Sequence, residues 1–371
     1  MQNITKGLFT SLGVLSSAFA FADAGMAGQK SASAAAQPQM NQGDPVKPGQ
    51  LPAGYNQSAR WNPNGKWDAY VTAAWICWTA QQDGLDTGYS VELGTEGAQI
   101  EHESDIFYHH PRYESGFKVG LGFNTASFDD WSVYAEYTRY HAAHGTTHGV
   151  DGNEQITNSP YNGVMRLNNG ITNGRNVHSR WSLEVDILDA SIQRPYYLGT
   201  RLTINPFFGL RAAWVEQHFN MFYDQFQNSN NRLFTADFNF QNHTKNWQLG
   251  PRLGMEGSWL LGCGFKVIGN GSVSLLYTRY TEVKREQHLL GLIEWEQKYH
   301  KNYHVLSPML ELDAGLGWGT YFSRERFHFD FAATYDFISW WNQRPADPVN
   351  DSKAMGTLYL HGVTLKGRFD F

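Results

Sequence analysis

The sequence predicts an all-β protein: a transmembrane antiparallel β-barrel of about ten strands, with short periplasmic turns and long extracellular loops. Three observations favour this class. Apolar and polar residues alternate along most of the chain, connections alternate between short and long, and aromatic residues make up 15% of a chain with only 17% charged residues. Apolar and polar residues alternate along barrel strands because one side contacts lipid and the other faces the lumen. Aromatic residues are enriched in girdles at both membrane interfaces.

The carboxyl-terminal strand shows the alternation clearly. Between Tyr359 and Phe371, apolar or small side chains occupy one parity, and Lys366, Arg368 and Asp370 occupy the other. The same pattern predicts nine earlier strands, from residue 66 onward. For the fourth of these, it predicts an outward face of Trp181, Leu183, Val185 and Ile187.

The predicted connections alternate in length. Short ones fall at 124–130, 192–199, 259–264 and 319–325, and long ones at 80–115, 141–178, 218–246, 279–302 and 340–355. Outer-membrane barrels have short periplasmic turns and long external loops, and an even strand count returns both termini to the periplasm. The predicted location is therefore the bacterial outer membrane, with its lipid as a partner.

The amino-terminal region predicts export. Lys6 precedes an apolar stretch that ends in a small-x-small cleavage site, so residues 1–22 are predicted to be a signal peptide. That stretch is shorter than the ~20 residues of a spanning helix. Residues 23–65 are rich in Ala, Gln, Gly, Ser and Pro and predict a disordered periplasmic leader, and 66–371 are predicted to form the barrel. A secreted β-sandwich is the competing class.

Three segments carry a family resemblance: YVTAAWICW at 70–78, FKVGLGFNTASFDDW at 117–131 and PFFGLRAAW at 206–214. They resemble strands and hairpins of the pore-forming major-outer-membrane-protein-like family of Legionella and chlamydia-related bacteria. The resemblance implies a β-barrel porin that passes small solutes, often as a homo-oligomer. Chlamydial members are rich in cysteine, whereas this chain has 2 Cys, so disulfide cross-linking is not expected.

The inward parity predicts a charged lumen, and two interpretations stay open. In one, Arg211 and Arg252 oppose Glu256, Glu311 and Asp313 across a constriction and select permeants by a transverse field. In the other, ion pairs fill a barrel too narrow to conduct, because about eight strands are filled by side chains while 16 to 18 leave a channel. The predicted pore-lining residues are Glu136, Glu184, Asp186, Arg211, Arg252, Glu256, Glu311, Asp313 and Asp330.

The predicted function is passive diffusion of small hydrophilic solutes or ions through an outer-membrane porin. The alternatives are a non-conducting structural or adhesin barrel that contacts a host surface through its loops, and, third, an outer-membrane hydrolase. No serine elbow, Walker loop, dinucleotide-binding glycine pattern or EF-hand loop occurs, so the sequence predicts no enzyme and no cofactor. The net charge of -6, with no basic cluster, predicts no nucleic-acid partner.

Histidines occur in two of the predicted outer loops. His141, His144 and His148 lie in one, and His109 and His110 lie with His102 in another. A zinc site needs ligands that converge in a fixed geometry. Nothing in the Gly/Thr-rich sequence around these residues enforces convergence, so they are predicted to be solvated, with no metal bound.

Overall fold

The structure is a computed structural model. It describes residues 57–61, 63, 68–93, 99–100, 105–125, 130–150, 154–157, 173–228, 232–290, 295–300, 303–343 and 356–371. The predicted signal peptide and most of the predicted leader lie outside the described residues.

The described residues form strands throughout. In chain order they are β1 Ala69–Gln82, β2 Asp86–Leu93, β3 Gln99–Ile100, β4 Ile106–Tyr108, β5 Tyr113–Thr125, β6 Trp131–Gly149, β7 Glu154–Thr157, β8 Asn173–Gly174, β9 Asn176–Gln193, β10 Tyr196–Tyr197, β11 Leu202–Asn228, β12 Arg232–Gly262, β13 Phe265–Leu290, β14 Trp295–His300, β15 Tyr303–Phe322, β16 Phe327–Trp340 and β17 Leu358–Asp370. Among them there is no helix long and apolar enough to cross a membrane.

Ten of these strands close into an antiparallel barrel in the order β1, β5, β6, β9, β11, β12, β13, β15, β16, β17. The barrel closes between its first and last strands, whose register runs from Tyr70 opposite Asp370 to Gln82 opposite Leu358. Closure leaves no unpaired strand edge, as a lipid environment requires. The predicted fold class is confirmed.

The four predicted short turns all lie at one end of the barrel, here called the turn end; the opposite end is the loop end. The tightest turn joins β12 to β13 through Cys263 (φ 53°) and Gly264 (φ 84°). Positive φ at both central residues is typical of a type I′ hairpin, which suits the twist of the flanking strands. Cys263 and Cys77 are both free thiols.

The loop end differs from its prediction in one respect. Most of the predicted loops 218–246 and 279–302 is strand, because β11 and β12 run for 27 and 31 residues and β13 for 26. Their extensions carry polar residues on the outward face, so the sequence lacks the lipid-facing pattern that marked the strands below. Because these segments are polar, the sequence predicted loops, whereas the backbone hydrogen-bond ladder continues beyond the apolar band.

An apolar band surrounds the barrel. Its outward side chains are well exposed, with Leu121, Leu210 and Leu316 near 60%. On β12 the band runs from Trp247 to Trp259; twelve residues at ~3.3 Å each, tilted by about 40°, span roughly 30 Å, the thickness of a bilayer core. The band has the dimension and the aromatic borders that a membrane protein needs.

The predicted orientation of β9 is wrong. Trp181, Leu183, Val185 and Ile187 are at most 3% exposed and lie inside the barrel. Glu184 and Asp186 therefore point outward; the Glu184 side chain is 53% exposed, and Asp186 accepts a hydrogen bond from outward-facing Tyr137. Alternation fixes which residues share a side, but not which side is inner. Here the loop half of the lumen is apolar, which reverses the usual assignment.

The loop half of the lumen is filled by one apolar cluster, here called the apolar layer. Its buried members include the large side chains of Trp78, Tyr140, Trp181 and Trp340. Above it lies a small sheet in which β2 pairs with β3, β4 and β7. This sheet contacts the barrel where the Tyr223 hydroxyl donates a 2.5 Å hydrogen bond to the carbonyl of Thr87.

The turn half of the lumen is polar, and glycine makes room for its larger side chains. A Cβ on Gly122 would collide with the ring of Tyr70, and one on Gly254 with the ring of Phe207. At this end, the described part of the predicted leader contacts the barrel. Ser58 forms a bridge with Tyr196, and the Trp61 ring stacks on His328 at 3.9 Å.

Candidate functional site in the barrel lumen

A cavity of about 200 Å³ occupies the turn half of the lumen and is here called the chamber. A second cavity of about 70 Å³ lies nearer the turn end and shares Glu256, Lys266 and Arg368 with the chamber. The ionisable Lys, Arg, Asp and Glu residues that line the chamber are Lys118, Glu136, Asp189, Arg211, Arg252, Glu256, Lys266, Glu311, Asp313, Asp330, Asp336, Lys366 and Arg368.

Arg211 stands at the centre of the chamber's ion pairs. Its Nε and Nη2 atoms donate to the two oxygens of Asp189 at 2.7 and 2.6 Å, and its Nη1 lies 2.9 Å from Glu311 Oε1. Arg252 donates through Nη2 to Glu311 Oε2 at 2.8 Å, and its Nη1 lies 3.5 Å from Asp189. Two guanidinium groups and two carboxylates thus form a closed network. The planar fork of Arg211 holds Asp189 in bidentate geometry, which fixes both side chains.

Sequence reasoning found three of these four residues. Arg211, Arg252 and Glu311 were predicted to line the lumen, whereas Asp189 was not among the predicted residues, because it shares the parity of the face of β9 that was predicted to be outward. Knowledge of the strand register would have identified Asp189, because it lies directly opposite Arg211 in the ladder between β9 and β11. Opposite charges on facing inward positions are a signal that needs the strand register.

A second group of ion pairs lies beside β17. Lys366 Nζ is 3.3 Å from Glu136 Oε2, which also accepts a 2.5 Å hydrogen bond from the Tyr134 hydroxyl. Lys118 Nζ lies 3.5 Å from Asp336 Oδ2, which also accepts a 2.6 Å hydrogen bond from Thr364, while Asp336 Oδ1 accepts one of 2.8 Å from Thr334. Glu136 therefore lines the chamber.

Three further predicted residues, Glu256, Asp313 and Asp330, are in the chamber wall, whereas Glu184 and Asp186 lie on the outward face of β9. Asp313 accepts a 2.9 Å hydrogen bond from the Asn270 amide, and Asp330 lies 2.7 Å from Lys266 Nζ. Glu256 lines both cavities. The predicted opposition of Arg211 and Arg252 to three carboxylates is thus realised directly for Glu311, while Asp313 and Glu256 line the same cavity.

Several buried polar atoms in the chamber wall have no protein partner among the described residues. These are Arg252 Nε, Asn205 Oδ1 and Asn270 Oδ1. Buried polar groups in proteins are nearly always hydrogen-bonded, and a polar cavity of this size has room for several water molecules. The chamber is therefore suited to a hydrated interior.

The apolar layer lies next to the chamber, on its loop-end side. Met309 marks the boundary, since its Sδ atom lies 3.0 Å from Arg211 Nη1 while the residue itself belongs to the apolar cluster. Trp340 pairs with Met309 in the ladder and donates through Nε1 to Gln248 at 3.2 Å. Trp78 donates to Thr364 Oγ1 at 3.2 Å. Trp78 and Trp340 are thus held in place by hydrogen bonds as well as by packing, whereas Trp181 Nε1 has no partner among the described residues.

The prediction that the outer-loop histidines are solvated is wrong for His109 and His144, which are 8% and 6% exposed. Among the described residues, the predicted outer-loop histidines form no common group of ligand atoms. His109 and His144 stack at 4.5 Å, His109 Nδ1 lies 3.1 Å from Ser179 Oγ, and His148 contacts the carbonyl of Tyr108. His141 lies 4.0 Å from Glu184 on the outward face. His102 lies outside the described residues.

A different group, Glu216, His218 and His243, brings its ligand atoms within 4.8 Å of one another. The sequence did not reveal it, because two of its members meet only through strand register.

Acid should loosen the loop end through His109. Burial, followed by the positive charges of His144, His110 and His148, lowers its pKa to about 4. Because the ordinary pKa is about 6.5, an opened state binds a proton between about pH 6.5 and 4 that the closed state does not, so stability falls as pH falls through this window. We expect protection factors for hydrogen exchange at 106–113 to drop roughly tenfold from pH 7 to pH 5.

The matched variants for this experiment are His109→Gln and His178→Gln. His178 is an exposed histidine of β9 and serves as the control. The His109 variant should lose the pH dependence, and the His178 variant should keep it. Equal pH dependence in wild type and His109→Gln would assign the loosening to other groups.

Comparison with known proteins places the barrel in a family. The family model described as Legionella pneumophila major outer membrane protein precursor matches residues 62–371. The chain belongs to this family. Its barrel is therefore an outer-membrane barrel, with lipid contact around the apolar band. No curated protein matches the sequence.

Solved outer-membrane barrels resemble the structure at low identity. The outer membrane protease OmpT from Escherichia coli is 8% identical, with a TM-score of 0.40, 85% of this chain covered and 99% of that chain. A Pseudomonas aeruginosa FadL homologue is 8% identical, with a TM-score of 0.24 and coverage of 87% and 100%. The CymD monoaromatic hydrocarbon channel is 8% identical, with a TM-score of 0.21 and coverage of 82% and 89%.

Proposed function

We propose that this protein is a narrow pore for small hydrophilic solutes or ions, closed in the described state by the apolar layer. One observation carries the proposal: a charge-lined, polar chamber lies directly beneath an apolar constriction in the same lumen. Hydrophobic constrictions gate channels by excluding water, whereas charged rings select permeants. The barrel uses no covalent chemistry. Its turn end is periplasmic and its loop end extracellular, following the rule for outer-membrane barrels.

The charged side chains of the chamber should give an open pore a weak preference for cations. Its described wall holds six cationic and seven anionic side chains, a net charge of -1 if all are ionised. Most are paired, so the field along the axis is nearly balanced. An open state would pass both signs of ion and favour cations slightly.

Replacement of Arg252 should sharpen this preference. Its side chain is 15% exposed and contacts the cavity, whereas that of Arg211 is 2% exposed. Removing one charge a few Å from the ion path changes an ion's energy by about 1 kcal/mol in a water-like medium, or about fivefold in permeability. Arg252→Gln should therefore raise K⁺ permeability and lower Cl⁻ permeability about fivefold each. The K⁺/Cl⁻ permeability ratio, measured from reversal potentials in a salt gradient, should rise roughly 25-fold.

A matched control is Arg279→Gln, which removes an exposed arginine from the outward side of β13. It should leave the reversal potential unchanged. If both variants shift it equally, or neither does, the chamber wall does not select the permeant.

A non-conducting structural or adhesin barrel is the second candidate. The close burial of the apolar layer and the small sheet in the described part of the chain favour this role, because a filled lumen can be a stable end state. Under it, the ion pairs serve packing alone, and no variant of the layer conducts. Assembly with further copies and host contact through the loops stay predictions.

A further inference from the structure

We propose that Glu216, His218 and His243 form a binding site for a borderline divalent cation, Zn²⁺ foremost, on the outward side of the β11–β12 hairpin. The three residues lie outside the lumen, so this inference is independent of conduction. No group at this site takes part in the proposed pore.

Strand register creates the cluster. His218 lies directly opposite His243, and Glu216 is two residues along the same strand, on the same side. The two imidazole rings stack at 4.0 Å with an 8° angle between their planes. Opposite residues of an antiparallel pair have Cβ atoms about 5 Å apart. The backbone ladder therefore holds both imidazoles beside each other before any ion binds.

The distances fit tetrahedral coordination. Glu216 Oε1 lies 3.0 Å from His243 Nε2 and 3.4 Å from His218 Nε2. Zinc binds histidine nitrogen and carboxylate oxygen at about 2.0–2.2 Å, so two ligands of a tetrahedron lie about 3.3–3.5 Å apart. An ion between these atoms needs only small side-chain shifts. Two nitrogens and one oxygen suit Zn²⁺ better than Ca²⁺ or Mg²⁺, which prefer oxygen ligands.

The neighbours of the cluster support this assignment. Glu282 Oε1, which Lys284 Nζ also contacts, lies 3.6 Å from His243 Nδ1, just beyond hydrogen-bond distance, on the opposite side of the ring from Glu216. Metal-ligating histidines usually direct their second nitrogen at a carboxylate, which fixes the tautomer and makes the ligand more basic. Lys245 Nζ contacts Glu216 Oε2 at 2.9 Å, which leaves Oε1 for the ion.

The site is open to its surroundings. The side chains of Glu216, His218 and His243 are 27%, 44% and 23% exposed. The cluster lies just beyond Trp214 and Trp247, at the loop-end border of the apolar band. A fourth position can therefore be taken by water or by an external ligand. A bound ion would pin the two long strands together where they leave the membrane.

The test uses the refolded full-length chain without a histidine tag, stripped with a chelator and titrated with ZnCl₂ by calorimetry. His218→Gln and His243→Gln should each abolish the one-to-one binding event. His304→Gln, which removes an exposed histidine from β15, should retain it. Glu282→Gln should weaken the affinity about 10- to 100-fold. Lys245→Gln should tighten the binding, because it removes a cation beside the ligand oxygen.

Co²⁺ provides a second readout, since tetrahedral Co²⁺ has intense visible absorption that octahedral aqueous Co²⁺ lacks. Wild type and His304→Gln should develop this band with one equivalent, and the two cluster variants should not. Circular dichroism confirms that each variant is folded. Zinc binding of equal affinity and stoichiometry in wild type and both cluster variants would overturn the proposal, as would the lack of any binding by the wild type.

Discussion

Arg211→Met should lower the free energy of unfolding by roughly 3–5 kcal/mol, because it leaves Asp189 and Glu311 charged, buried and without their main partner. Arg211 donates to both carboxylates and is 2% exposed, so water cannot replace it without repacking. Methionine keeps much of the volume, which restricts the change to charge and hydrogen bonds. Urea titration in detergent, followed by tryptophan fluorescence, measures the loss.

Two controls separate this effect from a general sensitivity to mutation. Arg180→Met removes an exposed, outward arginine of β9 and should change stability by less than about 0.5 kcal/mol. The triple variant Arg211→Met, Asp189→Asn, Glu311→Gln should recover much of the loss, since no uncompensated charge remains. A single Arg211 variant as stable as the Arg180 control would mean that water compensates the carboxylates in the native chamber.

Opening the apolar layer should raise the open probability of the pore at least tenfold. Trp78, Trp181 and Trp340 are its largest side chains, and each is at most 1% exposed. Truncating one buried tryptophan to alanine costs about 3–5 kcal/mol of packing. If only a third of that cost distinguishes the closed from the open state, each truncation raises the open population about tenfold. The triple alanine variant should conduct far more often than the wild type in planar bilayers.

The matched control is Trp214→Ala. It removes the same side chain from β11, but on the outward side, where it is 48% exposed to the membrane border. This variant should conduct as the wild type does. A triple variant that is folded, inserted and silent would favour the structural barrel over the pore.

The sequence predicted the barrel well because lipid imposes a rule on every strand. An outward apolar position must recur at every second residue across the membrane, and the alternation at Phe117 to Phe123 or Val267 to Tyr277 follows it. The turn positions were predicted from the lengths of the connections between strands and from residues such as Gly264. These features are local, so one sequence suffices to find them.

The lumen could not be predicted to the same extent. The rule that lumens are polar fails in the loop half of this barrel. There, Val185 and Val215 lie opposite each other on neighbouring strands, and both are buried inside the barrel. Because both sides of β9 are partly apolar, the prediction of its inward face depended on the assumption that the lumen is polar. Glu184 and Asp186 were placed inward for this reason, and Asp189 was missed. Whether a ten-strand lumen is open or filled depends on side-chain packing, which periodicity does not encode.

The zinc-site candidate was missed for a related reason. His218 and His243 are separated by a hairpin tip that the sequence predicted to be a loop, so their opposition in a ladder was not foreseen. Outward polar residues beyond the apolar band looked like solvated loop residues. Only the extended register of β11 and β12 brings them together.

Single-channel recording of the wild-type chain from Asp23, in planar bilayers across a salt gradient, determines whether the apolar layer closes a pore. A pore closed by the apolar layer should show a silent baseline with brief openings, whose reversal potential indicates a weak preference for cations. A steady ohmic current through every inserted molecule would contradict the account, because it would show that the layer does not close the lumen.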